Sequence, residues 1–166
     1  MVDSKKVILD VSEEYGKLTG RHYGLFEEYK MADAERAIVV LNSTAGTAKA
    51  VVDELRAKGE KVGLIKLRVF RPFPLEELAK AVSHVKAVAV MDKAESFSAM
   101  GGPVFTDVRS ACYDLAKRPH IINFIYGLGG RDVPVGDIHF VFDALKKVVS
   151  DDKPGEIYRH VGVRGV

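Results

Sequence analysis

Residues 34–67, AERAIVVLNSTAGTAKAVVDELRAKGEKVGLIKL, hold the fold in miniature. An apolar, β-branched run at 37–41 (AIVVL) precedes a segment carrying Ala48, Val51, Val52 and Leu55 at helical spacing, and a second apolar run fills 62–67 (VGLIKL). Runs this short have strand length, and apolar residues throughout, rather than at alternate positions, mark strands covered on both faces. The helix between them stops at Gly59, a residue suited to a C-terminal cap. A helix joining two doubly covered strands is a parallel β-α-β unit.

The same pattern continues outward. Further apolar runs stand at 87–91 (AVAVM) and 121–126 (IINFIY). Helical stripes separate and follow them: Leu75, Leu78, Ala79 and Val82 behind Pro72 and Pro74; Val104, Phe105, Val108, Ala111, Cys112 and Leu115 ahead of Pro119; and Ile138, Val141, Phe142, Leu145 and Val149 behind Asp137, read as an N-cap. Alternating strands and helices with short connections predict a three-layer α/β/α sandwich with a mostly parallel sheet and right-handed crossovers. The core is placed at 31–150. Residues 1–30 contain a helical stripe (Val7, Ile8, Val11, Tyr15, Leu18), expected to break at Gly16 and Gly20, and then an aromatic segment at 23–29. The tail, 151–166, alternates Ile157, Val161 and Val163 and reads as an edge strand or an interface.

Composition narrows the function. Hydrophobic residues make up 47% and charged residues 29% of 166, the balance of a globular chain rather than a disordered or membrane-embedded one. A formal net charge of +2 provides no basic field for nucleic acid. The single Cys112 cannot form an internal disulfide and cannot alone hold an iron–sulfur cluster, which needs several thiolates. Met1 is followed by no apolar segment of the signal-peptide kind, so the expected location is the cytoplasm.

Open α/β sheets bind ligands beyond the carboxyl ends of their strands, so the loops there carry the candidate chemistry. After the first run, Ser43, Thr44, Gly46 and Thr47 either offer backbone N–H groups to an anion, with Lys49 adding charge, or simply cap and pack the helix. The spacing is not that of a P-loop. Arg68 and Arg71, held among Phe70, Pro72, Phe73 and Pro74, suit either a carboxylate or phosphate, or a partner protein. Asp92 and Glu95 are possible acid/base groups, although acids in this position more often cap loops. Gly127, Gly129 and Gly130 precede Arg131 and Asp132 in an order that fails the dinucleotide fingerprint and is better read as a tight turn holding backbone or a neighbouring surface. The five histidines are scattered without metal-ligand spacing, and no nucleophile elbow is present, so no catalytic and no metal residues are assigned.

Taken together, EEYGKLTGRHYGLFEEYKMADAERAIVVLNSTAGTAKAVVDELRAKGEKVGLIKLRVFRPFP (13–74), MDKAESFSAMGGPVF (91–105) and GLGGRDV (127–133) resemble the C-terminal part of the alpha subunit of pyruvate:ferredoxin and related 2-oxoacid:ferredoxin oxidoreductases. The resemblance implies a transketolase C-terminal-like domain of about five strands, mostly parallel with one antiparallel edge. It also implies a parent complex that oxidatively decarboxylates a 2-oxo acid to an acyl-CoA and reduces ferredoxin, using thiamine diphosphate, Mg, iron–sulfur clusters and CoA. By the same resemblance this chain binds none of those cofactors and is a non-catalytic assembly domain, its partners the beta-, gamma- and delta-type subunits. Residues 1–30 then connect to a preceding domain, and Arg68, Arg71, Phe73, Arg131 and Asp132 structure loops or interfaces. Asn42 departs from the glycine expected there in many relatives. The alternative is a stand-alone anion- or ligand-binding regulatory domain.

Overall fold

The computed structural model describes residues 2–97 and 99–163. In chain order its elements are α1 (Val2–Thr19), β1 (Phe26–Tyr29), β2 (Arg36–Leu41), α2 (Thr44–Ala57), β3 (Val62–Leu67), α3 (Leu75–Val82), β4 (Ala87–Asp92), α4 (Pro103–Cys112), β5 (His120–Ile125), α5 (Val135–Asp151) and β6 (Tyr158–His160). One six-stranded sheet runs in the order β1-β3-β2-β4-β5-β6. Only β1 is antiparallel, pairing with β3 from Phe26 opposite Leu67 to Tyr29 opposite Leu64. The other neighbours are parallel. The sheet has six strands where about five were expected, and it takes in residues on either side of 31–150.

The two-faced burial of the central strands follows from side-chain alternation. Ile38 and Val40 of β2 point to the layer formed by α2 and α5, where they meet Val51, Leu55, Phe142 and Leu145. Ala37 and Val39 point to the opposite layer, formed by α3 and α4, among Leu78, Val82, Phe105 and Val108. Every residue of β4 is buried.

Three expectations are corrected. The first concerns handedness: β4–α4–β5 and β5–α5–β6 step the same way across the sheet but over opposite faces, so their hands are opposite. Uniform right-handedness fails at the last connection, because α5 covers the half of the face that α2 leaves open over β2 and β4. Second, α1 runs unbroken through Gly16, against which the His22 ring packs, and ends at Gly20 with φ +71°. Third, Asp137 lies in the first turn of α5 rather than at its cap, which is Pro134.

The order of strands places a switch point between β2 and β4. The chain leaves β2 toward β3 on one side, then returns past β2 to lay β4 on the other. Loops leaving β2 and β4 therefore diverge and open a crevice at their carboxyl ends.

Candidate functional site

Four loops crowd the carboxyl edge of the sheet, and a buried polar network fixes the one that follows β4. Asp92, the last residue of β4, is 3% exposed, and its two carboxylate oxygens accept the Val104 and Phe105 N–H groups at 2.9 and 3.1 Å. The acid thus caps α4 from a neighbouring strand, satisfying amides that the helix cannot satisfy itself. Asn123, fully buried in β5, donates to Asp92 Oδ2 at 3.0 Å and to the Val90 carbonyl at 2.9 Å, and its Oδ1 accepts the Gly102 N–H at 2.8 Å. Desolvation pushes the Asp92 carboxyl up, against the pull of those donors. A β-carbon on Gly102 would sit 2.2 Å from Asp92 Cγ, so glycine is required there for close approach.

The anion-binding candidates divide. Ser43 precedes α2 in helical conformation without a side-chain cap, and the Gly46 N–H is taken by the Ser43 carbonyl at 2.8 Å. Thr44 is buried and its hydroxyl accepts from Tyr126 at 3.0 Å, while desolvation pushes the Tyr126 hydroxyl up. Lys49 points elsewhere, pairing with Glu27 and lying over the Tyr29 ring. Ser43, Thr44 and Thr47 instead line a polar cleft of about 400 Å³ with Lys93, Arg131 and Asp132, which joins the first loop to the fourth. Asn42, at φ +62°, adopts the left-handed conformation that suits glycine, and asparagine is among the other residues that tolerate it.

The arginine candidates all engage their own chain. Arg68 pairs with Glu27 at 2.9 Å and covers the Tyr23 ring. Arg71 pairs with Asp107 at 2.6 Å and stacks on Phe70, which meets Phe73 edge to face. Arg131 donates to the Gly162 carbonyl, tying the fourth loop to the tail, while Asp132 is exposed.

A second, smaller crevice of about 170 Å³ opens at the switch point itself, lined mainly by Leu41, Phe70, Met91, Val104 and Tyr126, with Asn42, Asp92 and Lys93 as its polar groups. Beyond it, Glu95 accepts from the Tyr158 hydroxyl at 2.7 Å, and His160 Nε2 lies 2.6 Å from the same oxygen. These bonds hold the Glu95 carboxyl low, and burial with Glu95 beside it pushes the Tyr158 hydroxyl up to about 12. They link the loop after β4 to β6. The Asp92–Asn123 network and this cluster were not assembled from sequence. Asn123 did leave a signal, an amide inside an otherwise apolar strand; the Glu95 cluster left none, since Glu95 lies over sixty residues from Tyr158 and His160.

The thiol of Cys112 is poorly suited to an iron–sulfur cluster. Cys112 is buried on α4, and burial pushes its thiol up to about 11, which disfavours the thiolate that a cluster needs. Among the described residues no group of three His, Cys, Asp or Glu side chains is placed to hold a metal ion.

The fold and its loop-bearing carboxyl edge define a transketolase-like α/β domain. Two solved structures share it: a 2-oxoglutarate:ferredoxin oxidoreductase from Magnetococcus marinus (TM-score 0.54, 17% identity, over 82% of this chain and 21% of that one) and a split gene transketolase described as an inactive beta4 tetramer (TM-score 0.53, 12% identity, 83% and 45%). Residues 34–138 match the family described as pyruvate:ferredoxin oxidoreductase core domain II. The chain belongs to that family. It is 42% identical over 166 residues to the pyruvate synthase subunit PorA of Thermotoga maritima, covering 99% of this chain and 41% of the relative. It is 41% identical over 152 residues to the ketoisovalerate oxidoreductase subunit VorA of Pyrococcus abyssi, covering 91% and 38%. The chain thus spans about two-fifths of the length of these relatives.

Proposed function

We propose that this chain is a non-catalytic assembly domain of the alpha subunit of a 2-oxoacid:ferredoxin oxidoreductase. The observation that carries the reading is the face of α1. Val7, Val11, Tyr15 and Leu18 form one stripe along that helix and remain exposed, Leu18 to 80%. Lys5 ties the helix to Glu76 and Glu77 of α3, and Tyr15 meets Tyr23, but these contacts leave the stripe uncovered. A contiguous apolar stripe of this kind marks an interaction surface. In the proposed assembly residues 1–30 lead to a preceding domain, residues 31–150 form the body, and the tail lies at an interface. The chain's partners are the beta-, gamma- and delta-type subunits. Thiamine diphosphate with Mg sits between a preceding alpha-subunit domain and the beta subunit, and the iron–sulfur clusters sit on other polypeptides. CoA is used elsewhere in the complex, and ferredoxin is reached indirectly. The buried Cys112 thiol, pushed up to about 11, supports the assignment of the iron–sulfur clusters to other polypeptides. Similarity to PorA and VorA subunits, which carry pyruvate synthase and ketoisovalerate oxidoreductase names, supports the reaction class. Among the described residues no helix is long and apolar enough to cross a membrane, which accords with a cytoplasmic complex.

Native mass spectrometry of the endogenous polypeptide, with thiamine and iron assayed on the same material, tests the proposal. Recovery in a large complex carrying both supports it; a free species carrying neither overturns it. The anion-binding alternative is less favoured, because the Gly46 amide and the Lys49 charge are both engaged within the chain.

A further inference from the structure

We propose that the crevice at the switch point between β2 and β4 binds a small monocyclic aryl carboxylic acid, its ring among Leu41, Phe70, Met91 and Tyr126 and its carboxylate on Lys93. This site is independent of the assembly surface on α1. Position supports it first: the crevice opens at the carboxyl ends of two parallel strands whose following loops diverge, the place where open α/β sheets take ligands. Size suits the class. A volume of about 170 Å³ is close to the ~150 Å³ apolar cavity that accommodates benzene, enough for one ring.

Charge supplies the head group. Lys93 lines both this crevice and the 400 Å³ polar cleft beside it, and among the described residues it makes no ion pair; its ammonium lies 5.8 Å from the Tyr126 ring centroid. The neighbouring cations differ in this respect, since Lys49, Arg68 and Arg71 are each paired with a carboxylate. Asn42, exposed at the mouth, has no side-chain hydrogen bond among the described residues and adds a neutral donor. The one acid in the lining, Asp92, directs its oxygens at the Val104 and Phe105 amides and at Asn123, so its charge is answered by three donors.

The test uses the intact native polypeptide, in its complex if it has one, with methionine methyl groups labelled with carbon-13. Phenylacetate is titrated while the Met91 resonance is followed, with benzyl alcohol and inorganic phosphate as comparison probes. The expected result is a saturable Met91 shift with phenylacetate and a weaker one with benzyl alcohol. Lys93→Met should weaken phenylacetate about tenfold and leave benzyl alcohol unchanged, the scale of one hydrogen bond to a charged group. Ala94→Trp, at an exposed lining position, should block both. No Met91 shift up to tens of millimolar phenylacetate overturns the proposal, as does a shift that survives Ala94→Trp. Phosphate binding that depends on Lys93, without any effect of phenylacetate, also overturns it and moves the site to the polar cleft.

Discussion

The two longest helices, α1 with 18 residues and α5 with 17, carry similar stripes and meet opposite fates. In α5 the residues Ile138, Val141, Phe142, Leu145 and Val148 are buried against β2, β4 and α2. In α1, Val7, Val11, Tyr15 and Leu18 face outward. Helical periodicity states that a face exists; it does not state what covers it. In α5 the cover is the sheet of the same chain. For α1 that cover is proposed to be another domain, and on that proposal one helix is part of the body and the other part of its connections.

The largest test of that contrast is truncation on each side. Phe142→Ala should cost about 3–5 kcal/mol in urea unfolding of the chain, because it removes a fully buried ring and leaves a cavity. Leu18→Ala should stay within about 0.5 kcal/mol. Equal losses would mean that α1 belongs to the body. Next, Gly102→Ala should cost about 1–3 kcal/mol, since its methyl meets Asp92 Cγ at 2.2 Å. A neutral result there would show that the Asp92 cap on α4 can yield.

Smaller effects sharpen the picture of the surface. Val11→Lys with Leu18→Lys should change chain stability by less than about 0.5 kcal/mol, yet release the chain from the proposed complex on size-exclusion chromatography. Retention in the complex would remove α1 from the interface. Smallest is the pH response of β6. Glu95 titrates low in the folded chain, so its contribution is present above its unfolded value, about 4.3, and fades as pH falls through the lower folded value. With the intrinsic pH dependence of exchange divided out, protection of the Val161 amide, whose N–H bonds the Ile125 carbonyl, should fall across that window in the native chain and lose this pH dependence in Glu95→Gln.

Much of the body was legible. The runs at 37–41, 62–67, 87–91 and 121–126 became β2 to β5 with boundaries within a residue, because strands covered on both faces must be apolar throughout. The stripes of α2 to α5 likewise lie mainly on buried faces, although Leu75 is exposed at the start of α3 and Leu115 falls beyond the end of α4. Of the candidate site, Ser43, Thr44, Thr47, Arg131 and Asp132 do share one cleft, but Lys93, which joins it to the switch-point crevice, was not singled out. Nothing local distinguishes a lysine left unpaired from Lys49, whose partner lies 22 residues away.

By itself the sequence determined the order of elements from β2 to α5 and the buried faces of the central strands and helices, which rest on residue spacing along one chain, and the family, which rests on its loop motifs. The tertiary structure decided the rest. It paired FEEY at 26–29 with β3 as the antiparallel edge, sent α5 across the face opposite α4, and turned Asp92 into the cap of a helix on another segment. These outcomes depend on competition for shared surface and on desolvation by distant neighbours, and periodicity along the chain carries neither.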